Sequence, residues 1–150
     1  MTLNCSYLFS LIFSLLIPRE FSADVLLDAN SWWVTGGTGY GGALATTEIM
    51  RLGAFSRGPD LPWPMAQHCV TKVDETRYLF VGGSGDAGNK TSIYDEVTGT
   101  WEYLNDMPRA RSGHVCQAIY DVVNGLEVVV AGGFIDSTAD IYREGQKDGH

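Results

Sequence analysis

Three times along this chain an apolar run stops at a pair of glycines. Tyr78-Leu79-Phe80-Val81 stops at Gly82-Gly83, with Tyr94 eleven residues later and Trp101 seven after that. Upstream, Trp32-Trp33-Val34 leads into Gly36-Gly37. Downstream, Val128-Val129-Val130 leads into Gly132-Gly133, with Ile141-Tyr142 following nine residues on. The step from Gly36 to Gly82 is 46 residues, and from Gly82 to Gly132 it is 50. A fixed period in this range signals a repeat architecture, in which each unit buries its apolar faces against its neighbours.

Displaced by 46 residues, the sequence lies on itself: Asp28 falls on Asp74, Gly36 on Gly82, Phe55 on Trp101, Pro62 on Pro108 and His68 on His114. The repeats then run over about 21–65, 66–110 and 111–150, the last of them truncated. The middle unit reads as four short strands, His68 to Val73, Arg77 to Val81, Thr91 to Val97 and Thr100 to Leu104. Asp74-Glu75-Thr76, Gly83 to Asn89 and Thr98-Gly99 supply the turns between them. In the first unit the strands fall at Val25-Leu26-Leu27, Ser31 to Thr35, Thr46 to Met50 and near Phe55. In the third, His114 to Val122 and Glu127 to Ala131 flank an Asn124-Gly125 hairpin turn, and Thr138 to Arg143 follows. That longer hairpin accounts for the step of 50, and no fourth strand follows. Apolar and polar residues alternate only weakly, as expected of strands covered on both faces.

Composition narrows the partners. The formal net charge is −8 and there is no basic stripe, so nucleic acid and anionic membrane surfaces are excluded as expected partners. The 18 glycines against 5 prolines fit a loop-rich β protein. The three cysteines, Cys5, Cys69 and Cys116, do not make a disulfide framework. Tyr7 to Ile17 is an apolar run too short for a comfortable membrane span, so no span is expected. Residues 1–20 read as a signal peptide or apolar N-terminal segment, with Ala23 as one possible last residue removed. The expected location is the secretory pathway or the extracellular space, with the cytoplasm as the alternative.

Taken together, the apolar strand ending in Gly-Gly, the Tyr, the Trp, the Met-Pro-Arg-x-Arg and the His resemble the kelch repeat. The middle unit carries the set through Gly82, Gly83, Tyr94, Trp101, Met107, Pro108, Arg111 and His114. The first unit keeps Gly36 and Gly37 but has Met50 for the Tyr and Phe55 for the Trp. The third keeps Gly132, Gly133 and Tyr142. The resemblance spans about Phe21 to Arg143 and implies an all-β fold: propeller blades of four antiparallel strands in an incomplete propeller. Glycines where strands converge and large aromatics in the wedge between blades fit that expectation.

Several motifs carry a functional and a structural reading side by side. Gly37 to Gly42 matches the dinucleotide fingerprint G-x-G-x-x-G, and Ala43 to Leu52 could pass for the helix after it. The match recurs at Gly83 to Gly88, whereas a dinucleotide fold uses it once, so it is read as a loop feature and no cofactor is expected. His68-Cys69 and His114-Val115-Cys116 resemble a zinc set. Their offsets differ by one residue, which on strands sends the two cysteines to opposite faces, so no metal is expected. The favoured reading is buried free thiols beside a structural histidine. Asn89-Lys90-Thr91 is a glycosylation sequon in a loop.

Catalytic constellations are not apparent, and no enzyme activity is expected. The expected function is protein binding through the loops after the glycine pairs, Thr38 to Gly42, Ser84 to Asn89 and Phe134 to Ser137. The alternative is a fragment of a secreted propeller enzyme, of the galactose-oxidase-like type, or of a carbohydrate-binding propeller. An open edge beside Thr138 to Arg143 adds the expectation of self-association, with Phe9 to Phe13 as the segment that could complete it.

Overall fold

The structure, a computed structural model, describes residues 14–134 and 136–143. It is all-β, with no α-helix among the described residues. In chain order, β1 (Ala23–Asp28) and β2 (Ser31–Thr35) are followed by the two-residue strands β3 (Thr38–Gly39) and β4 (Gly42–Ala43) of a small ribbon. Then come β5 (Thr47–Arg51) and β6 (Ala54–Arg57), which complete sheet 1 in the order β1-β2-β5-β6. Sheet 2 is the meander β7 (Cys69–Lys72), β8 (Arg77–Val81), β9 (Thr91–Asp95) and β10 (Thr100–Tyr103). Sheet 3 holds β11 (Val115–Asp121), β12 (Gly125–Ala131) and β13 (Ala139–Arg143). All pairings are antiparallel.

Two strands, Ser31–Thr35 and Arg77–Val81, have the bounds the sequence predicts. β7, β9 and β11 each end sooner, and aspartates are the reason. The Asp95 carboxylate accepts the Val97 and Thr98 N–H groups, turning the chain before Val97. Asp121 does the same for Val123 and Asn124 and closes the β11–β12 hairpin. Asp28 accepts the Asn30 N–H, and Asp74 accepts those of Thr76 and Arg77. Side chains that take over turn amides in this way end a ladder. Backbone N–H donors hold the Asp28 and Asp121 carboxyls below their ordinary range. Residues 47–51, inside the span that could pass for a helix, pair with β2 as a strand instead.

The three sheets pack face to face, with sheet 2 in the middle. On β8 the alternation splits the side chains between two cores. Tyr78 and Phe80 join Val70, Leu27 and Trp33 in the core shared with sheet 1. Leu79 and Val81 join Ile93, Val128 and Val130 in the core shared with sheet 3. This is why β8 reads as a continuous apolar run. The first strands of the sheets lie side by side, with β7 between β1 and β11.

The cysteines correct the sequence reading. Cys69 and Cys116 are not free thiols; they form a disulfide with Cα atoms 5.9 Å apart. Cys69 pairs across its sheet with Val81, on the face toward sheet 3, and Cys116 pairs with Val130, on the face toward sheet 2. Opposite faces of their own sheets are therefore what a bond across a sheet–sheet interface requires. The parity argument holds within one sheet, but the bond lies between two.

The expected pairing of Phe9 to Phe13 lies outside the described residues. Sheet 3 has three strands among those described. No helix among the described residues is long and apolar enough to cross a membrane.

Candidate functional site

At one end of the three sheets the glycine pairs meet the connectors that carry the chain from sheet to sheet. Gly36 and Gly82 each follow the second strand of a sheet and have φ of +56° and +62°. A Cβ at Gly36 would sit 2.3 Å from the Met65 carbonyl oxygen, and one at Gly82 would sit 2.8 Å from that of Arg111. Both the left-handed backbone and the approach of the next connector therefore require glycine. The second glycines donate to the same connectors: the Gly37 N–H to the Met65 carbonyl at 2.7 Å, and the Gly83 N–H to the Arg111 carbonyl at 2.8 Å.

A backbone ladder ties the connectors to each other. The Gln67 N–H donates to the Phe21 carbonyl and the Gly113 N–H to the Gln67 carbonyl, both at 2.8 Å. Phe21, Gln67 and Gly113 all have positive φ, at 54°, 55° and 65°. For Phe and Gln this is an uncommon conformation, and it recurs at one repeat position. The loops after the glycine pairs hang from the same rungs. Thr38, Ser84 and Phe134 donate their N–H groups to the carbonyls of Glu20, Ala66 and Ser112. All three predicted loops thus stand on one braced rim.

Within the sheets, buried arginines clamp the strand ends. Arg111 has a side chain with no exposed surface. It donates to the Gly132 and Thr138 carbonyls, the Thr138 hydroxyl and the Asp140 carboxylate, and lies 3.2 Å from Asp136. Arg19 repeats this on sheet 1. It donates to the Gly36 and Thr46 carbonyls, the Thr46 hydroxyl and the Glu48 carboxylate. The sequence reading missed Arg19 and Glu48, although Arg19, Met65 and Arg111 are spaced by 46 residues. On sheet 2 the place of the arginine is taken by Met65, and the counterpart of the acid is Ser92, buried with an unpartnered hydroxyl. With the basic and acidic partners both gone from that sheet, no recurring pair stands out.

His68 and His114 occupy matching places, as the 46-residue shift predicts. The His68 Nε2 lies 2.9 Å from the Thr35 hydroxyl, and the His114 Nε2 lies 3.0 Å from the Val81 carbonyl. Burial, with a smaller contribution from His114, pushes His68 down to about 4. Burial also lowers His114. Their cysteine neighbours are joined to each other, so no thiolate is available there for a metal. No cluster of three metal-binding side chains occurs among the described residues.

Tyr94 and Trp101 fill the wedge between sheets 1 and 2. Their ring centroids lie 5.0 Å apart, and Trp33 of sheet 1 meets Tyr94 edge-on at 5.4 Å. The Trp101 indole N–H donates to the Asp60 carbonyl of the connector. Tyr142, on β13, packs into the second core. Burial, then the Glu96 carboxylate, push the Tyr78 phenol up to about 12.

Two features face outward. On the rim, Tyr40 is fully exposed at 103% and Phe134 is 82% exposed, both on the braced loops. The middle loop is pulled in: Ala87 is buried, and the Arg111 N–H donates to the Gly88 carbonyl. Away from the rim a cleft of about 500 Å³ opens between the outer strands of sheets 2 and 3, bordered by Tyr103, Leu104, Met107, Asp140 and Tyr142. Asn89 of the sequon is half-buried, and its side-chain amide donates to Asp106 at 3.3 Å. No protein family matches this chain, and no curated protein matches it.

Proposed function

We propose that the chain is a kelch-type propeller unit that binds a protein partner through the rim of loops after its glycine pairs. The observation that carries this is Tyr40 and Phe134 standing exposed on loops whose backbones are held by the connector ladder. Exposed aromatics on a rigid base are what protein interfaces use as anchors, because little entropy is lost when they are covered. The propeller reading is supported by three antiparallel sheets in sequence order, by their side-by-side first strands, and by glycine pairs at the end of each second strand. Passage through the secretory pathway is supported by the Cys69–Cys116 disulfide, since such bonds persist mainly in oxidising compartments.

The experiment compares the wild-type chain with Tyr40→Ala/Phe134→Ala in proximity cross-linking, beside a glycan array. Cross-linked protein partners that the double variant loses, with an unchanged melting temperature, support the reading. A glycan signal that depends on the same residues, with no protein cross-linked, would replace it by the carbohydrate-binding alternative.

A further inference from the structure

Each joint between sheets is built from two dissimilar halves. The row Lys72–Tyr78–Tyr94–Trp101 crosses sheet 2 and packs on sheet 1, where Trp33 and Ile49 receive it. On sheet 3, Val128 and Tyr142 play the same part and are received by Leu79 and Ile93 of sheet 2. The joint is completed at the rim, where the glycine of one sheet closes on the incoming connector of the next.

Both halves occur once more, unpaired with each other. Across sheet 1 the row Leu26–Trp32–Met50–Phe55 matches the donating row of sheet 2 position by position and faces away from sheet 2. Leu26 on it is 64% exposed. Residues 16–19 already hold the connector position against it: the Leu16 and Ile17 N–H groups donate to Glu48, and Arg19 makes the same clamp as Arg111. Across sheet 3 the row Gln117–Val129–Ile141 matches the receiving row, with Ile141 48% exposed. At its rim the glycine slot is open among the described residues. There a Cβ at Gly132 would meet none of them nearer than 3.9 Å, where Gly36 and Gly82 meet a connector.

We propose that the receiving face of sheet 3 in one copy of this chain takes the donating face of sheet 1 in a second copy, head to tail, reproducing the internal joints. The partner is another copy because this chain carries the matching half itself, complete with its connector. In the joint, Trp32 and Met50 of one copy cover Val129 and Ile141 of the other. The Arg19 carbonyl accepts the Gly133 N–H, as the Arg111 carbonyl accepts that of Gly83. A heterologous contact of this kind closes into a ring when the rotation allows it. The expected ring of two copies rests on the propeller reading, since the three large sheets among the described residues of each copy make six, within the range of 4–8 blades.

The test is the mass of the full chain in solution by light scattering, at concentrations up to about 100 μM, which spans the affinities of stable pairs. The wild type is expected at twice the chain mass. Leu26→Asp spoils one half and Ile141→Asp the other. Each alone is expected to be monomeric, with association weakened about 100-fold or more by a charge in the dry joint. Mixing the two variants is expected to restore a one-to-one pair, because the mixture contains one intact joint. Val115→Asp replaces Ile141→Asp if the latter melts early. A monomeric wild type, variants that still pair, or a mixture that stays monomeric would each overturn the joint. Larger assemblies obeying the mixing rule would support the joint and overturn the six-sheet ring, leaving loop binding to be judged separately.

Discussion

The guanidinium of Arg19 lies 2.7 Å from the carboxylate of Glu48, and neither side chain has more than 2% of its surface exposed. Arg19 precedes the first strand of sheet 1, and Glu48 lies on its third. The pair therefore fastens the entering chain to sheet 1 ahead of β1. Cleavage after Ala23 would remove Arg19 and the first residue of β1, taking from Glu48 its cation and the Leu16 and Ile17 N–H donors.

Arg19→Met is expected to destabilise the chain by about 3 kcal/mol, the usual scale for stranding one member of a buried ion pair. Arg19→Met/Glu48→Ser should recover most of that loss, because sheet 2 folds around Met65 and Ser92 at the same positions. Denaturant titration of the two variants checks this. A double variant as unstable as the single one would show that the pair does more than neutralise itself.

The Cys69–Cys116 bond closes a chain separation of 47 residues between neighbouring first strands. Removing it with Cys69→Ser/Cys116→Ser should cost about 2–4 kcal/mol through the freedom returned to the unfolded chain. Peptide mapping without reductant should recover the two cysteine peptides as one cross-linked species. Thermal melts with and without reductant should differ for the wild type and coincide for the double variant.

Acid should weaken the fold over a defined window. Burial holds the His68 pKa at about 4 in the folded chain, against 6.5 for a histidine free in solution. Between those values the unfolded chain binds a proton that the folded chain refuses. Stability is therefore complete above about pH 6.5 and falls as the pH drops toward 4, by about 3 kcal/mol in all. His114, also lowered by burial, adds to the same slope. Denaturation midpoints measured from pH 7 to pH 4 check the sign, and His68→Gln should flatten the curve.

The glycine pairs should differ in their tolerance of a side chain. At Gly82 a Cβ would meet His114 Cε1 at 2.7 Å and the Arg111 oxygen at 2.8 Å, with φ at +62°. At Gly132 φ is +73°, but no described residue crowds the position. In the Leu26→Asp background, which removes association, Gly132→Ala should cost about 1–2 kcal/mol from backbone strain alone. Gly82→Ala should cost clearly more, because backbone and an imidazole must also give way. Equal losses at the two sites would show that the connector does not crowd the glycine.

By itself the sequence determined the β character, the repeat and the places of the strands. Those follow from local chemistry: apolar runs, glycine pairs and aspartate turns recur at fixed spacing, and Ser31–Thr35 and Arg77–Val81 fall where that spacing puts them. The tertiary structure alone decided what crosses from one sheet to the next. Arg19 sits in a stretch that reads as the end of an apolar leader, and only the fold shows it seated on Glu48, 29 residues away. Cys69 and Cys116 point to opposite faces of their own sheets, and only the stacking of those sheets turns that parity into a bond. Phe21 and Gln67 take left-handed backbone angles that nothing in their side chains favours, because the connector ladder over-determines them. Periodicity carries the spacing within a unit; the contacts between units depend on how the sheets are set against one another, which no local pattern encodes.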